Sequence, residues 1–368
     1  MNKEVISNKQ GIALITLFIM GSSLILGTGT SAGRDAWIAE IISILFAVPI
    51  VCVYARILYL FPQKDLVEIV EIIFGKFIGK IIALLFIWFS FHLGALVLRN
   101  FGEFITNVSL PETPIIVSML FMIIVCIWGV KEGIEVLGRW SNLNLMILFI
   151  LITVTIILLV PNMKIDNILP ILSRGFKPVF KGAFSVFSFP FAETVVFLLF
   201  FSSIDNESSY KIYLTGLILG GIIIFATSFS ELLVFGEKEY VSFLFPSYKA
   251  VGRIKISDFI QSLEIIVSIS FLVGGFIKIS MCLLASCKGI TKLFGFNDYR
   301  FIVVPMSLLM INLSYLIYDS TNEMFKWAFE IYGFYALPFQ VILPIFILIC
   351  AEFKKRKKDY IININITK

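Results

Sequence analysis

The sequence predicts an all-α membrane protein of about ten transmembrane helices, and three observations carry that prediction. Of 368 residues, 59% are hydrophobic and only 15% charged, far more apolar than ordinary soluble domains. Apolar runs long enough to cross about 30 Å of hydrocarbon, which takes roughly 20 residues, recur near 11–32, 36–60, 78–108, 114–130, 134–160, 176–203, 211–235, 258–286, 301–318 and 327–351. Two of them, the first and the sixth, are interrupted at their middles, at Gly21-Ser22-Ser23 and at Ser188-Phe189-Pro190. These interruptions fall at equivalent places in two five-span halves, about 11–160 and 176–351. No soluble domain has room to fold between the runs, so 1–368 reads as one transmembrane domain with a basic tail at 352–368.

The first run follows Lys3 and Lys9 and ends near the small residue Ala32, features shared with a secretory signal. Its length, its central break and its continuation through Gly33-Arg34-Asp35-Ala36-Trp37 into another span, without an obvious cleavage site, argue for a retained helix. A broken helix leaves free amides at the start of one half and free carbonyls at the end of the other, which attract anionic and cationic groups respectively. In hydrocarbon such groups are tolerated only where protein buries them or where they line a polar cavity. Gly21, Ser22 and Ser23 add closely approachable backbone and two hydroxyls. Taken alone, these small residues read as tight helix packing; matched by a break in the other half, they point to a transporter-like binding site at the bilayer midplane.

Between the two breaks the charged residues read as structural. Arg99 and Glu103 near the end of the third span, and Glu135 and Arg139 near the start of the fifth, are each four apart, a spacing that predicts ion pairs along one helix face. His92, the only histidine, and the scattered Cys52, Cys126, Cys282, Cys287 and Cys350 have no metal-ligand spacing, so no metal or cofactor is expected. The strings Gly27-Thr28-Gly29 and Gly75-Lys76-Phe77-Ile78-Gly79-Lys80 lack the spacing and the preceding strand of a phosphate loop.

The sixth span carries the sharpest signal. Pro190 removes a backbone donor that a straight helix would use, and Glu193 follows three residues later, at a depth where an ionisable group is costly and marks function by default. Phe187, Phe189 and Phe191 offer apolar walls beside Ser188. In the eighth span Lys278 lies about 30 Å along a helix begun near Ser257, and Glu193 about 25 Å along one begun near Phe176, at 1.5 Å per residue. The two can therefore partner each other; the structural alternative for Lys278 is a side chain that snorkels to the interface. A zwitterion such as an amino acid suits the paired helix ends, its carboxylate on amides and its ammonium on carbonyls.

An even number of spans places both termini on one side, and Lys354-Lys355-Arg356-Lys357-Lys358 assigns that side to the cytoplasm. Lys64, Lys76, Lys80, Lys131, Arg139, Lys288, Lys292 and Arg300 agree; Lys164, Arg174, Lys177, Lys181, Lys249, Arg253 and Lys255 fall outside in this topology and oppose it. The net charge of +5 reflects loops and tail that touch anionic headgroups, not a nucleic-acid surface.

With those residues in hand, the chain resembles the B subunit of endospore germinant receptors, the spore permease family within the amino acid, polyamine and organocation transporter superfamily. The likeness covers nearly the whole chain. It rests on Gly21-Ser22-Ser23 with Ala32-Gly33-Arg34-Asp35-Ala36-Trp37, on Leu98-Arg99-Asn100-Phe101-Gly102-Glu103-Phe104-Ile105, and on Leu110-Pro111-Glu112-Thr113-Pro114. Gly133-Ile134-Glu135-Val136 with Arg139, Phe189-Pro190-Phe191-Ala192-Glu193, Phe245-Pro246-Ser247-Tyr248 and Phe276-Ile277-Lys278-Ile279-Ser280 complete it, specific in their order and spacing. The resemblance implies a 5+5 inverted repeat of the leucine-transporter type, in the inner membrane of a dormant spore, sensing a small nutrient together with A and C subunits. Gly27-Thr28-Gly29-Thr30 departs from the more apolar stretch the family carries there, so the outer half of the first helix is expected to be loose. The reading is a sensor and not an enzyme, with Gly21, Ser22, Ser23, Phe187, Ser188, Phe189, Phe191 and Glu193 at the ligand and Lys278 as ion-pair partner. Its rivals are a proton-coupled amino-acid transporter and a passive water or ion channel.

Overall fold

Local signals set where the helices start. Ser7 opens α1 (Asn8–Met20): its hydroxyl accepts from the Gln10 amide and the Gln10 side chain accepts from the Ser7 amide, a reciprocal pairing that satisfies two free donors at a helix start. Asp65 and Glu68 do the same for α3 (Leu66–Val108). Gly133 alone joins α4 (Ile115–Glu132) to α5 (Ile134–Leu159), at φ 100°, an angle that strains any residue with a Cβ.

The computed structural model describes residues 4–203, 208–254 and 263–366, the side chains of 203 and 356–366 excepted. Lys3, Lys255 and Ser257 lie outside the described residues, as do the side chains of Arg356, Lys357 and Lys358. The remaining helices are α2 (Ala36–Leu60), α6 (Phe176–Val186), α7 (Ser209–Ser242), α8 (Pro246–Val251), α9 (Glu264–Phe294) and α10 (Val303–Leu316). The last span runs through α11 (Thr321–Lys326), α12 (Tyr332–Leu337) and α13 (Leu343–Ile366), with wider π turns at Trp327–Ile331 and Pro338–Ile342 between them. No strand occurs among the described residues. Among the described residues eight helical stretches are long and apolar enough to cross a membrane, and two shorter apolar helices, Asn8–Met20 and Arg300–Leu316, stand at the other two expected spans.

The spans pack in two sets. The third, fourth, eighth and ninth (α3, α4, α9, α10) pack on one another, while the first, second, sixth and seventh form a second set in which α7 lies against α1 and α2, and α2 against α6. Contact between α1 and α9 joins the sets along the line of the first break.

Both interruptions are present, in different forms. The sixth span stops being helical at Phe189 (φ −135°, ψ 108°) and resumes as a tight 3-10 segment, Ala192–Leu199. In the first span only the N-terminal half is a regular helix: beyond Gly21 the chain makes a short 3-10 turn, Ser22–Leu24, then an irregular passage to a second 3-10 segment, Thr30–Asp35. The glycines at 27 and 29 make a continuous helix there costly. One expected ion pair is absent. Glu135 instead accepts the Val5 amide at 2.8 Å, and Arg139 is exposed without an ion pair among the described residues, because the N-terminal segment covers the acid first.

Candidate functional site

The site is built where the two breaks meet the eighth span. Helix α9 crosses so close to Gly21 that Gly274 backs onto its main chain: a Cβ on Gly274 would lie 3.2 Å from the Gly21 nitrogen and Cα. A Cβ on Gly21 would meet the Lys278 Cδ at 2.5 Å and the Phe18 carbonyl at 2.9 Å. Glycine is required there by this approach. Ser23 closes the broken helix end, its hydroxyl turned back to the carbonyls of Ile19 and Met20 at 2.6 and 2.9 Å.

The Lys278 stem passes over Gly21 and its ammonium reaches Glu193, Nζ to Oε2 2.5 Å, with both side chains wholly buried. The ammonium lies 4.8 Å from the centre of the Phe189 ring and 5.2 Å from that of Phe18, positions in which ring faces attract a cation. Tyr332 of the tenth span donates its hydroxyl to the other carboxylate oxygen, Oε1, at 2.5 Å. Removing a charge from water costs several kcal/mol per ion, and a buried pair is viable only when its surroundings compensate; here a phenol donates to the carboxylate and two aromatic faces flank the ammonium. Lys278 does not snorkel.

Ser188 is buried at the sixth break, its carbonyl accepting from the Gln340 amide nitrogen at 2.8 Å. The hydroxyls of Ser22, Ser188 and Ser280 and the side-chain oxygen of Gln340 are buried with no protein partner among the described residues, and orphaned polar groups of this kind mark places for water or ligand. Beside Glu193 a cavity opens between the third span and the tenth, lined by Leu93, Leu96, Val97 and Asn100 on one side, by Trp327 and Tyr332 on the other, and by Phe189 at its base. It offers about 30 Å³ to the centre of a water molecule, room for about two waters. A ligand larger than that needs the surrounding side chains to give way.

Of the residues singled out in the sequence, Gly21, Glu193, Lys278 and Phe189 come together around the ion pair. Phe189 and Glu193 also line the cavity. Phe191 is fully buried and points toward Gly221 of the seventh span, and Phe187 is buried in the core; neither lines the cavity. Sequence reasoning missed Tyr332, Trp327, Gln340 and Asn100. A signal existed for Asn100, a polar residue in helical register with Leu93, Leu96 and Val97; the π turns that present the tenth-span groups have no such signature. It also missed two fully buried acids. Glu40 accepts hydroxyls from Thr28 and Ser228, and Glu231 accepts from Ser247, whose hydroxyl also contacts the Leu24 carbonyl. Both face the irregular outer half of the first span, and neither forms an ion pair among the described residues. No group of three His, Cys, Asp or Glu side chains among the described residues is placed to hold a metal.

Comparison with known proteins follows the same lines. The sequence profile of a family described as Spore germination protein matches residues 5–324. The chain is 29% identical over 364 residues to Spore germination protein KB of Bacillus subtilis (strain 168), covering 98% of each. It is 26% identical over 255 residues to Spore germination protein XB of Bacillus anthracis, 68% of this chain and 70% of that one. Among solved structures it is similar to Mhp1, a nucleobase-cation-symport-1 family transporter in a closed conformation with bromovinylhydantoin bound (TM-score 0.65, 12% identity, 89% of this chain and 74% of that one). It is likewise similar to MhsT in complex with L-phenylalanine (TM-score 0.62, 13% identity, 95% and 99%). These likenesses show the fold, a ten-span arrangement of the leucine-transporter type with its first and sixth helices broken.

Proposed function

Because the chain belongs to the spore germination protein family, we propose that it is the nutrient-sensing membrane subunit of a spore germinant receptor, binding a small zwitterion, an amino acid, between the broken helices. The observation that carries this reading is the Glu193–Lys278 pair, an internal positive and negative charge side by side at the two breaks and next to a cavity. An amino acid presents the same two charges in the opposite order. Its ammonium would take the Glu193 carboxylate and its carboxylate the Lys278 ammonium, so a buried pair is exchanged for two pairs and no isolated charge is left in hydrocarbon. Phe189, Trp327 and the Leu93, Leu96 and Val97 face would receive the ligand's side chain.

The narrow cavity lies between the third and tenth spans, and a ligand seated in it would spread these two apart. In the proposed receptor, which sits in the spore inner membrane with both termini in the cytoplasm, that movement is what A and C subunits would read. A second reading, a proton-coupled carrier, is favoured by the likeness to Mhp1, a nucleobase-cation-symport-1 family transporter. Purified chain screened by thermal shift against amino acids, nucleosides and sugars tests the ligand class, since a ligand that binds only the folded state raises its stability. An amino acid is expected to give the shift, and a nucleoside or sugar alone giving it would overturn the assignment. Saturable uptake into proteoliposomes by this chain alone would favour the carrier; binding without flux favours the sensor.

A further inference from the structure

The cavity beside Glu193 has a second end, where two polar groups have nothing to bond. Asn100 of α3 and Tyr318, in the turn between α10 and α11, both line it. Each is more than nine-tenths buried, at 8% and 6% exposure, and neither side chain has a hydrogen-bond partner among the described residues. A primary amide brings two donors and an acceptor, and a phenol donates and accepts. Buried groups of these kinds are nearly always bonded to protein, water or ligand.

The two stand at one level of the bundle. Arg99, the residue before Asn100, reaches the carbonyls of Ser314 and Tyr315, shortly before Tyr318, and Glu103 accepts the Thr321 hydroxyl, shortly after it. Glu193 marks the other end. Its phenol partner Tyr332 lies eight residues beyond Met324, which also lines the cavity, about 12 Å along the tenth span at 1.5 Å per residue. Along α3 the lining runs from Leu93 to Asn100, about 10 Å on the same measure. Leu96, Val97 and Phe189 make the stretch between the ends apolar. Glu193 is the only charged side chain that lines the cavity among the described residues; Arg99 and Glu103 are engaged with each other at 2.8 Å.

We propose that Asn100, with Tyr318, is the specificity-determining end of this cavity, and that the amino acid it takes has a neutral side chain tipped with a hydrogen-bonding group, a carboxamide or a hydroxyl. The inference rests on the reading that the ligand's ammonium and carboxylate engage Glu193 and Lys278. With the charged head held there, the side chain extends along the apolar stretch toward the amide and the phenol. A carboxamide tip gives a donor to the Asn100 carbonyl oxygen and an acceptor to its amide nitrogen. An apolar tip of equal length would leave both groups dry and unbonded, and a charged tip would find no counter-ion at that end. A site built around hydrogen bonds rejects analogues that lack them for this reason.

The test is thermal-shift titration of the purified full chain with amino acids matched in size: glutamine against methionine and glutamate, and threonine against valine. In at least one series the neutral polar member is expected to act at a concentration about tenfold lower than its counterparts, the effect of one or two buried groups gaining partners. Asn100→Leu removes the amide and should bring the apolar member to parity or better, a gain that a damaged fold would not give. Tyr318→Phe takes away one hydroxyl and should narrow the gap by a smaller factor. Equal potency of polar and apolar members in both series would mean that water alone serves that end, and would overturn the assignment; so would a parental preference retained in Asn100→Leu. The Glu193→Gln/Lys278→Met double variant separates the two readings. Amino-acid binding lost there, with no discrimination in the parent, sinks the Asn100 inference alone. Binding unchanged in the double variant, or no amino acid bound by the parent, sinks the charge-pair reading and this inference with it.

Discussion

At the scale of single residues, the arrangement turns on Glu193. Its carboxylate is the only ion-pair partner Lys278 has among the described residues, so replacing it leaves a buried ammonium uncompensated, a loss of about 3–5 kcal/mol. Glu193→Gln should therefore be nearly as damaging as Glu193→Ala, seen as a lowered unfolding midpoint and a lost nutrient response. The Glu193→Gln/Lys278→Met double variant should recover most of the stability and none of the response. A Gln variant with parental stability and response would mean that the acid merely closes the turn. Gly21→Ala tests the close approach of α9: its methyl group would lie 2.5 Å from the Lys278 Cδ, and overpacking of this kind costs about 1–3 kcal/mol. Thermal unfolding of the purified variant checks it, and an unchanged midpoint would show that the lysine stem yields without cost. The acid, the lysine and the glycine were legible in the sequence because charge and missing side chains are expensive in hydrocarbon. Tyr332 was not, since a tyrosine in an aromatic-rich span gives no sign of where its hydroxyl ends.

At the scale of elements, the breaks and the last span matter most. Ser188 is fully buried where the sixth span loses its helix, its hydroxyl 3.3 Å from where a Cβ on Gly333 of the tenth span would stand. Ser188→Leu should wedge these spans apart and abolish the nutrient response at normal membrane insertion, whereas Phe189→Leu, at the base of the cavity, should change which nutrient is recognised. Response curves against several amino acids at matched protein levels decide, and curves that coincide with the parent for both variants would place the pocket elsewhere. Arg99 pairs with Glu103 at 2.8 Å and also reaches the carbonyls of Ser314 and Tyr315, while Glu103 accepts the Thr321 hydroxyl at 2.6 Å. The spacing of four predicted the pair; only the tertiary structure made it a tie from the third span to the end of the ninth and the start of the tenth. Arg99→Met leaves Glu103 buried without its cation and should destabilise by about 3–5 kcal/mol, measurable as a lower unfolding midpoint and a looser tenth span in hydrogen exchange.

At the scale of the whole molecule, the proposed sensing needs two states, and the narrow cavity between the third and tenth spans belongs to one of them. A ligand that stabilises the other shifts the population only by its differential affinity. At a concentration one hundred times its Kd, the germinant should stabilise the folded chain by about 2.7 kcal/mol. The same ligand should leave the unfolding of the Glu193→Gln/Lys278→Met variant unmoved. A shift of equal size in that variant would separate ligand binding from the charge pair and require a different site.

The sequence by itself determined the spans and the two breaks, and that Glu193 and Lys278 lie within spans, because hydrocarbon enforces length, apolarity and backbone satisfaction one segment at a time. It determined the family as well, through the order and spacing of its strings. The tertiary structure alone decided that Lys278 reaches Glu193 across Gly21, that Tyr332 and Trp327 face the cavity while Phe191 turns toward the seventh span, and that Glu135 binds the N-terminal backbone instead of Arg139. Each of these depends on which helix faces lie opposite one another. That is fixed by packing summed over all the spans, and no single segment carries it.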